Sequence, residues 1–341
     1  MEHFVEFPKL GLSFTVKEDA FLIGNFAIKW YGVLIGLGFV LAILYAFHYA
    51  KKMKLDEDSL LDVIIFGMIA GIIGARLFYV VFYPGDKYWK NPGQIFDIRD
   101  GGLGFYGGLI GALVCAFIVA KIKKMNIPAL FDLIALGFLI GQSFGRWGNF
   151  TNQEAFGGPT DLPWGMQSDN TRMLFDSPVH PCFLYESLLC VLGFIILHFF
   201  TQKWRRYDGQ TFLLYLIWYG VSRFFIESTR SDSLMIGPIK ISMLVAVLFV
   251  VSASILLIIF RNRTVLSGVG SAKVLNAAAE EEEEDGYSTI FTDKKLSELY
   301  PDETPENDDE DHENDDSEPE SELDAGEEDS DDNTENRPDD E

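Results

Sequence analysis

Residues 139–154 read Leu139-Ile-Gly-Gln-Ser-Phe-Gly-Arg-Trp-Gly-Asn-Phe-Thr-Asn-Gln-Glu154, and they close an apolar stretch long enough to enter a lipid bilayer. An arginine at this position, Arg146, is costly unless an anion or a water-filled cavity meets its charge. Glycines flank the arginine, and two asparagines and a glutamate follow it. The pattern predicts a membrane helix that ends in a site for a phosphate group.

Outside this stretch, the chain divides into a hydrophobic body and an acidic tail. Residues 276–341 hold 31 Asp and Glu against three basic residues, a net charge of −28. Removing them from the 51 acidic and 27 basic residues of the chain leaves 20 acidic and 24 basic residues, a net charge of +4. A like-charged segment with few apolar residues cannot offset its ordering entropy. We predict a transmembrane catalytic domain over residues 1–275 and a disordered acidic cytoplasmic tail over 276–341. The tail is interpreted as a solubilising extension, with partner binding as the alternative.

The body contains seven apolar stretches of roughly 20 residues, the length that crosses a bilayer. Basic clusters follow the first, third, fifth and seventh stretches, and such clusters lie on the cytoplasmic side. We therefore expect an all-α polytopic membrane protein with seven transmembrane helices, an outside N-terminus and a cytoplasmic C-terminus. The predicted spans are 21–50, 59–83, 103–121, 128–146, 180–201, 211–229 and 236–260.

Three arginines lie in the outer halves of the second, fourth and sixth predicted spans: Arg76, Arg146 and Arg223. Because these spans run in the same direction, we expect the three guanidinium groups to meet at one depth near the outer head groups. Glu227 follows Arg223 by four residues, so the two can pair on one helix face. A guanidinium holds a phosphate with two parallel hydrogen bonds, which favours an anion site. A structural salt-bridge network is the alternative.

Three further carboxylates lie in or beside the predicted spans. Asp62 and Asp132 occur in the first turns of their spans, which predicts interfacial carboxylates near helix N-termini. Glu186 is interpreted as a structural partner of an arginine. Residues 101–111 contain six glycines around Tyr106, and these allow close helix packing or close approach of a ligand.

Taken together, these residues resemble the prolipoprotein diacylglyceryl transferase family. The run Gly145–Gly157 resembles the family signature almost throughout, and the resemblance covers about residues 20–260 in order. The predicted spans and outside N-terminus agree with the family, whereas the acidic tail is not part of its pattern. The other matching motifs are Trp30-Tyr31-Gly32, Gly74-Ala-Arg76, Tyr106–Gly111, His180-Pro181, Tyr185-Glu186 and Arg223–Arg230.

The resemblance implies a transferase of the bacterial cytoplasmic membrane with its active site toward the outer face. It implies transfer of the diacylglyceryl group of phosphatidylglycerol to the lipobox cysteine thiol of a preprolipoprotein signal peptide. This first step of lipoprotein maturation forms a thioether and releases glycerol 1-phosphate. The expected partners are phosphatidylglycerol, the preprolipoprotein and membrane lipid, without nucleic acid. No metal or other cofactor is expected.

The resemblance also implies roles for individual residues. Arg146 is the expected phosphate contact and Arg223 its helper, because arginines stabilise the negative charge that builds on the leaving group. Tyr106 completes the expected catalytic set. The expected substrate-binding residues are Arg146, Tyr31, Arg76, Asn149, Glu154, Gly157, His180, Glu227 and Arg230.

Tyr106 stands where many family members carry a histidine that has been assigned as the base. A tyrosine, with a reference pKa of about 10, is a poor base at neutral pH. Tyr106 can act as a phenolate or as a hydrogen-bonding group, and another base or thiol deprotonation beside the arginines stays open. Cys115, Cys182 and Cys190 are not expected to take part. A transporter or channel for an organic anion is the main alternative function, and a non-catalytic membrane scaffold is the second.

Overall fold

The computed structural model describes residues 2–24, 26–97, 101–230, 235–236 and 239–280. These ranges are mostly helical and contain seven helices of 18 residues or more. The helices are α1 (Trp30–Ala50), α2 (Glu57–Val81), α3 (Lys87–Lys90), α4 (Phe105–Ile122), α5 (Ile127–Thr151), α6 (Asp169–Arg172), α7 (Cys182–Lys203), α8 (Gln210–Thr229) and α9 (Ile241–Ile259). The strands are β1 (Glu2–Phe7), β2 (Leu12–Lys17), β3 (Asp19–Ile23), β4 (Phe26–Lys29), β5 (Gln167–Ser168), β6 (Met235–Ile236) and β7 (Ile239–Lys240).

Six of these helices are long and apolar enough to cross a membrane within the described ranges: α1, α2, α4, α5, α7 and α9. The chain is therefore a multi-pass membrane protein. Helix α8 is of similar length but falls outside this set, and it carries Arg223 and Glu227. The predicted span 211–229 agrees with the bounds of α8. The helix is therefore where it was predicted, but it is less apolar than the other six.

The prediction of an all-α body is wrong at the N-terminus. Strand β1 lies between β2 and β5 in an antiparallel three-stranded sheet. Residues 2–7 alternate between exposed and buried, the pattern of a half-buried strand. The predicted span 21–50 also begins too early, because β3 and β4 form a hairpin there and Gly24 has the positive φ (60°) of a tight turn. Likewise, β6 and β7 precede α9 inside the predicted span 236–260.

Helix α5 is the centre of the bundle, where it packs against α1, α7 and α8. Asn126 begins it by accepting a hydrogen bond from the Ala129 backbone N–H at 3.2 Å. Leu136 and Leu139 of α5 are buried with Leu197 of α7 and Tyr215 of α8. This packing fixes the three helices that carry Arg146, Glu186 and Arg223.

Helices α2 and α4 form a separate close pair through glycine. A Cβ placed on Gly107 would lie 2.3 Å from the carbonyl oxygen of Gly74, so only glycine allows the two backbones to touch here. The N-terminal sheet covers the other side of the bundle, where Val5 and Phe7 pack against Phe150 and Phe183. The sheet therefore caps the C-terminal end of α5.

The N-terminal end of α5 holds a fully buried ion pair. The Asp132 Oδ2 atom lies 3.0 Å from Arg205 Nη1, and both side chains are 0% exposed. Backbone N–H groups of Gly209 and Phe212 donate to the same carboxylate at 2.8 and 2.7 Å. Asp132 therefore lies near a helix N-terminus, as predicted, but is paired inside the protein, whereas Asp62 is partly exposed and pairs with Lys123 at 2.5 Å.

Residues 272–280 are helical, so the predicted disorder does not begin at residue 276. The rest of the predicted tail lies outside the described residues.

Candidate active site

The carboxylate of Glu186 bridges Arg146 and Arg223. The Glu186 Oε2 atom lies 2.5 Å from Arg146 Nε, and Glu186 Oε1 accepts a hydrogen bond from Arg223 Nη1 at 2.9 Å. Glu186 is 7% exposed, so the two guanidinium groups share a desolvated anion. This confirms the prediction that Glu186 is an arginine partner. It also confirms that α5 and α8 bring Arg146 and Arg223 together.

A second carboxylate completes the cluster. Arg223 Nη2 lies 2.7 Å from Glu227 Oε2 one helical turn away, as the spacing predicts. Two guanidinium groups and two carboxylates therefore balance in charge. Lys240 fixes the end of α8 by donating to the backbone carbonyls of Glu227 and Arg230 at 2.6 and 2.7 Å.

Arg146 also contacts the polar residues that follow it in the chain. Its Nη1 donates to Asn149 Oδ1 at 3.2 Å, and within the described part of the chain its Nη2 makes no hydrogen bond. Asn149 in turn donates from Nδ2 to Glu154 Oε1 at 2.8 Å. Tyr31 packs against Gly148, where an added Cβ would meet its ring at 3.0 Å, and lies within electrostatic range of Arg146 and Glu154. The signature residues thus form one connected group around Arg146.

A cleft opens between α5, α7 and α8 beside the two arginines. Arg146, Glu186 and Arg223 line it together with mostly apolar side chains. Such a lining combines the charged and apolar groups that an amphiphile with an acidic head group requires. The uncharged lining residues are Leu139, Gln142, Leu189, Cys190, Trp218, Tyr219, Ser222 and Ile226.

Gln142 and Tyr219 were not predicted as site residues, although their spacing from the charged residues indicates them. Gln142 lies four residues before Arg146, Tyr219 four before Arg223, and Cys190 four after Glu186. Residues four apart lie on one face of a helix, so each shares the face of a charged residue. Gln142 donates to the Tyr215 hydroxyl at 3.0 Å and accepts from Cys190 Sγ at 3.7 Å. That Cys190 takes no part in the chemistry stays a prediction.

The segment after α5 is conformationally strained. Gln153 and Ala155 have φ angles of 54° and 60°, a region that costs residues other than glycine about 1–3 kcal/mol each. The buried atoms Asn152 Oδ1 and Gln153 Oε1 have no hydrogen-bond partner among the described residues. Strain and unsatisfied polar atoms accumulate at functional sites more than in structural turns. Both features surround Glu154.

Gly157 and His180 lie beyond this cluster, in a tightly packed loop. Gly157 donates to the His180 carbonyl at 2.9 Å and bridges to Arg230 in antiparallel fashion. A Cβ on Gly157 would lie 2.7 Å from His180 Cβ, so the position requires glycine for packing. The His180 ring contacts the Tyr185 hydroxyl at 3.3 Å. Burial lowers the pKa of His180, so its imidazole is neutral at pH 7.

Arg76 does not join the other two arginines, contrary to the expected convergence of three. It is 7% exposed, and its guanidinium donates to the backbone carbonyls of the α2–α4 connection. Tyr106, in the first turn of α4, is half exposed, and its ring lies 6.4 Å from that of Phe78 in α2. The structure therefore places Arg76 outside the cluster and Tyr106 beside α2.

Comparison with known proteins identifies the family of the chain. The chain matches the family model described as prolipoprotein diacylglyceryl transferase over residues 18–259. Three relatives carry the name phosphatidylglycerol–prolipoprotein diacylglyceryl transferase. The Finegoldia magna protein is 40% identical over 248 residues, 73% of this chain and 97% of the relative. The Clostridioides difficile protein is 41% identical, over 69% of this chain and 92% of the relative. The Listeria innocua protein is 42% identical, over 71% and 89%.

Proposed function

The chain belongs to the prolipoprotein diacylglyceryl transferase family, and we propose that Arg146 and Arg223 hold the phosphate of phosphatidylglycerol while its diacylglyceryl group is transferred. The chain is a transferase that moves a diacylglyceryl group from phosphatidylglycerol to a prolipoprotein. The relatives reported above are named as transferases, so they give no support to an anion transporter.

The acceptor in this proposal is the cysteine thiol of the lipobox. A C–S bond forms to the glyceryl carbon as the C–O bond to phosphate breaks. The thiol loses its proton, and the electron pair of the C–O bond leaves with glycerol 1-phosphate. A guanidinium group next to the thiol favours the thiolate over the thiol. We assign Tyr106 a hydrogen-bonding role toward the substrates.

Arginine pairing supports a role in the bond-breaking step. Negative charge grows on the phosphate oxygen as the C–O bond breaks, and fixed donors in a low-dielectric cleft stabilise that charge. Glu186 fixes both guanidinium groups because each binds one of its oxygens. Asn149 orients Arg146, and Glu154 orients Asn149. We assign the Nη2 donor of Arg146 to a phosphate oxygen.

The remaining expected residues surround this centre. Tyr31 and Glu154 lie beside Arg146, and we assign them to the head-group hydroxyls. Glu227 orients Arg223. Gly157, His180 and Arg230 form the loop next to the end of α8, and we assign this loop to the peptide substrate.

We place the cluster at the outer face of the bacterial cytoplasmic membrane, with seven spans that include α8. Basic clusters follow α1, α4, α7 and α9, and basic clusters mark the cytoplasmic side. Arg146, Glu186 and Arg223 lie toward the opposite helix ends. The polar residues of α8 pair with α7, which supports a span buried by its neighbours.

The observation that carries the proposal is the Glu186 bridge between two arginines that line a cleft with mostly apolar walls. Purified protein in phosphatidylglycerol vesicles should add one diacylglyceryl group to the cysteine of a synthetic lipobox peptide, detected by mass spectrometry. A peptide with serine in place of that cysteine is the control and should gain no mass. Flux of an organic anion across the vesicles without any lipidated peptide would contradict the proposal and favour a transporter.

A further inference from the structure

Arg76 is the most fully satisfied arginine near the cleft end of the bundle. A guanidinium has five N–H donors, and those of Arg76 meet five backbone carbonyl oxygens. Its Nε donates to Ile95 at 2.7 Å, and its Nη1 to Gly101 and Gly102 at 3.0 and 2.9 Å. Its Nη2 donates to Gln94 and Asp97 at 2.7 and 2.6 Å.

Aromatic rings enclose the same guanidinium. Its central carbon lies 5.3 Å from the ring centroid of Tyr88 and 6.0 Å from that of Tyr79. Both distances are in the range of cation–π contacts. With every donor used and both rings in place, Arg76 has no donor left for a lipid phosphate.

The carbonyls bound by Arg76 lie directly before α4. Gly102 and Gly104 pack against Tyr79 and Phe78 of α2, and the Gly104 N–H donates to the Ala75 carbonyl at 2.8 Å. Tyr106 follows in the first turn of α4. Releasing the carbonyls from Arg76 would therefore release the start of α4, including Tyr106.

We propose that Arg76 is a positioning residue, which fixes the α2–α4 connection and the first turn of α4 with Tyr106, and not a ligand of the lipid phosphate. The inference rests on the proposed function, because its kinetic test uses the transfer reaction. It assigns Arg76 a different role from Arg146, although both are arginines in glycine-rich motifs.

The Arg76→Lys variant distinguishes a positioning residue from a phosphate ligand. A lysine ammonium retains the charge but offers three donors from one nitrogen, so it cannot span five carbonyls. We expect Arg76→Lys and Arg76→Gln to lower kcat alike, by about tenfold, with the KM for phosphatidylglycerol within about twofold of the original. Near-normal turnover of Arg76→Lys, or a several-fold rise in that KM, would identify a phosphate ligand and overturn the proposal.

Two glycines provide a matched pair that leaves Arg76 in place. Gly101 and Gly102 have φ angles of 83° and 78°, so alanine strains the backbone equally at both. A Cβ on Gly102 would lie 2.5 Å from Arg76 Nη1, whereas a Cβ on Gly101 meets nothing within 4 Å. Gly102→Ala should reproduce the kcat loss of Arg76→Gln, and Gly101→Ala should lose less. Equal losses at the two positions would contradict the proposal.

Trypsin gives a readout independent of catalysis. Lys87 and Lys90 are exposed in α3, within the connection that Arg76 holds. Arg76→Gln and Arg76→Lys in vesicles should be cleaved there several-fold faster than the unmodified protein, and unchanged cleavage would count against the proposal. If the unmodified protein forms no lipidated peptide, the proposed function fails, while the cleavage rates still decide whether Arg76 holds the connection.

Discussion

Two arginine–carboxylate groups lie at opposite ends of α5. They differ in the exposure of their arginine side chains and in whether a cleft lies beside them. Asp132 and Arg146 are 14 residues apart, about 21 Å along the helix. Near Asp132, Arg205 is 0% exposed and its nitrogens donate to Asp132 and to the carbonyls of Ser267 and Val269. Near Glu186, the side chains of Arg146 and Arg223 are 25% and 17% exposed and border a cleft.

The difference shows that burial and pairing alone do not identify a ligand site. The Arg205 group is sealed, and its hydrogen bonds join α5, the α7–α8 connection and the segment after α9. The Arg146 group has the same chemistry but retains a donor and an adjacent cavity. Availability of donors beside a cavity distinguishes a reactive group from a structural one.

The largest effect should come from breaking the sealed group. Arg205→Ala leaves the Asp132 carboxylate buried without its ion-pair partner, and such a change costs about 3–5 kcal/mol. We expect a marked fall in the thermal unfolding midpoint in detergent. Arg206→Ala is the matched control, because Arg206 is exposed and adjacent, and it should leave the midpoint unchanged. An unchanged midpoint for Arg205→Ala would remove the distinction between the two groups.

The next largest effect should be on catalysis at the Arg146 group. Arg146→Ala should reduce transfer by about 10²–10³-fold, the loss expected when one donor to a developing oxyanion is removed. The unfolding midpoint should change little, because Glu186 keeps its contact with Arg223. Arg172→Ala is the control, since Arg172 pairs with Glu6 outside the cleft. Normal turnover of Arg146→Ala would rule out its assignment as the phosphate contact.

A smaller effect should come from replacing Glu186, the carboxylate that bridges the two arginines. Glu186→Gln preserves the side-chain shape but removes one negative charge, which leaves the cluster with a net charge of +1. We expect kcat to fall about tenfold because the guanidinium groups lose their shared anchor, and the KM for phosphatidylglycerol to fall or stay the same. Initial rates at varied lipid concentration measure both constants. A raised KM with an unchanged kcat would make Glu186 a binding group.

The sequence predicts most of the helices because each needs an apolar run of bilayer length, and the observed bounds differ by a few residues. The Arg223–Glu227 pair follows from helical spacing. By contrast, Arg205 is indistinguishable in sequence from its exposed neighbours Lys203 and Arg206. Its burial depends on the segment around Ser267, which returns to the bundle after α9. Such long-range contacts have no local signature, and the carbonyl cage of Arg76 has none either.

The smallest effect should come from the acidic tail, provided that the deletion spares the segment that binds Arg205. A chain ending at residue 275 retains the Ser267 and Val269 carbonyls, so transfer should fall by less than about tenfold, or 1.4 kcal/mol in the barrier. A chain ending at residue 263 lacks these carbonyls, and Arg205 then loses three of its hydrogen bonds. This shorter chain should unfold at a lower temperature, as Arg205→Ala does. A tenfold or greater loss of transfer activity in the chain ending at residue 275 would contradict this expectation. It would mean that the tail is coupled to the Arg146 group, although the two are far apart in sequence.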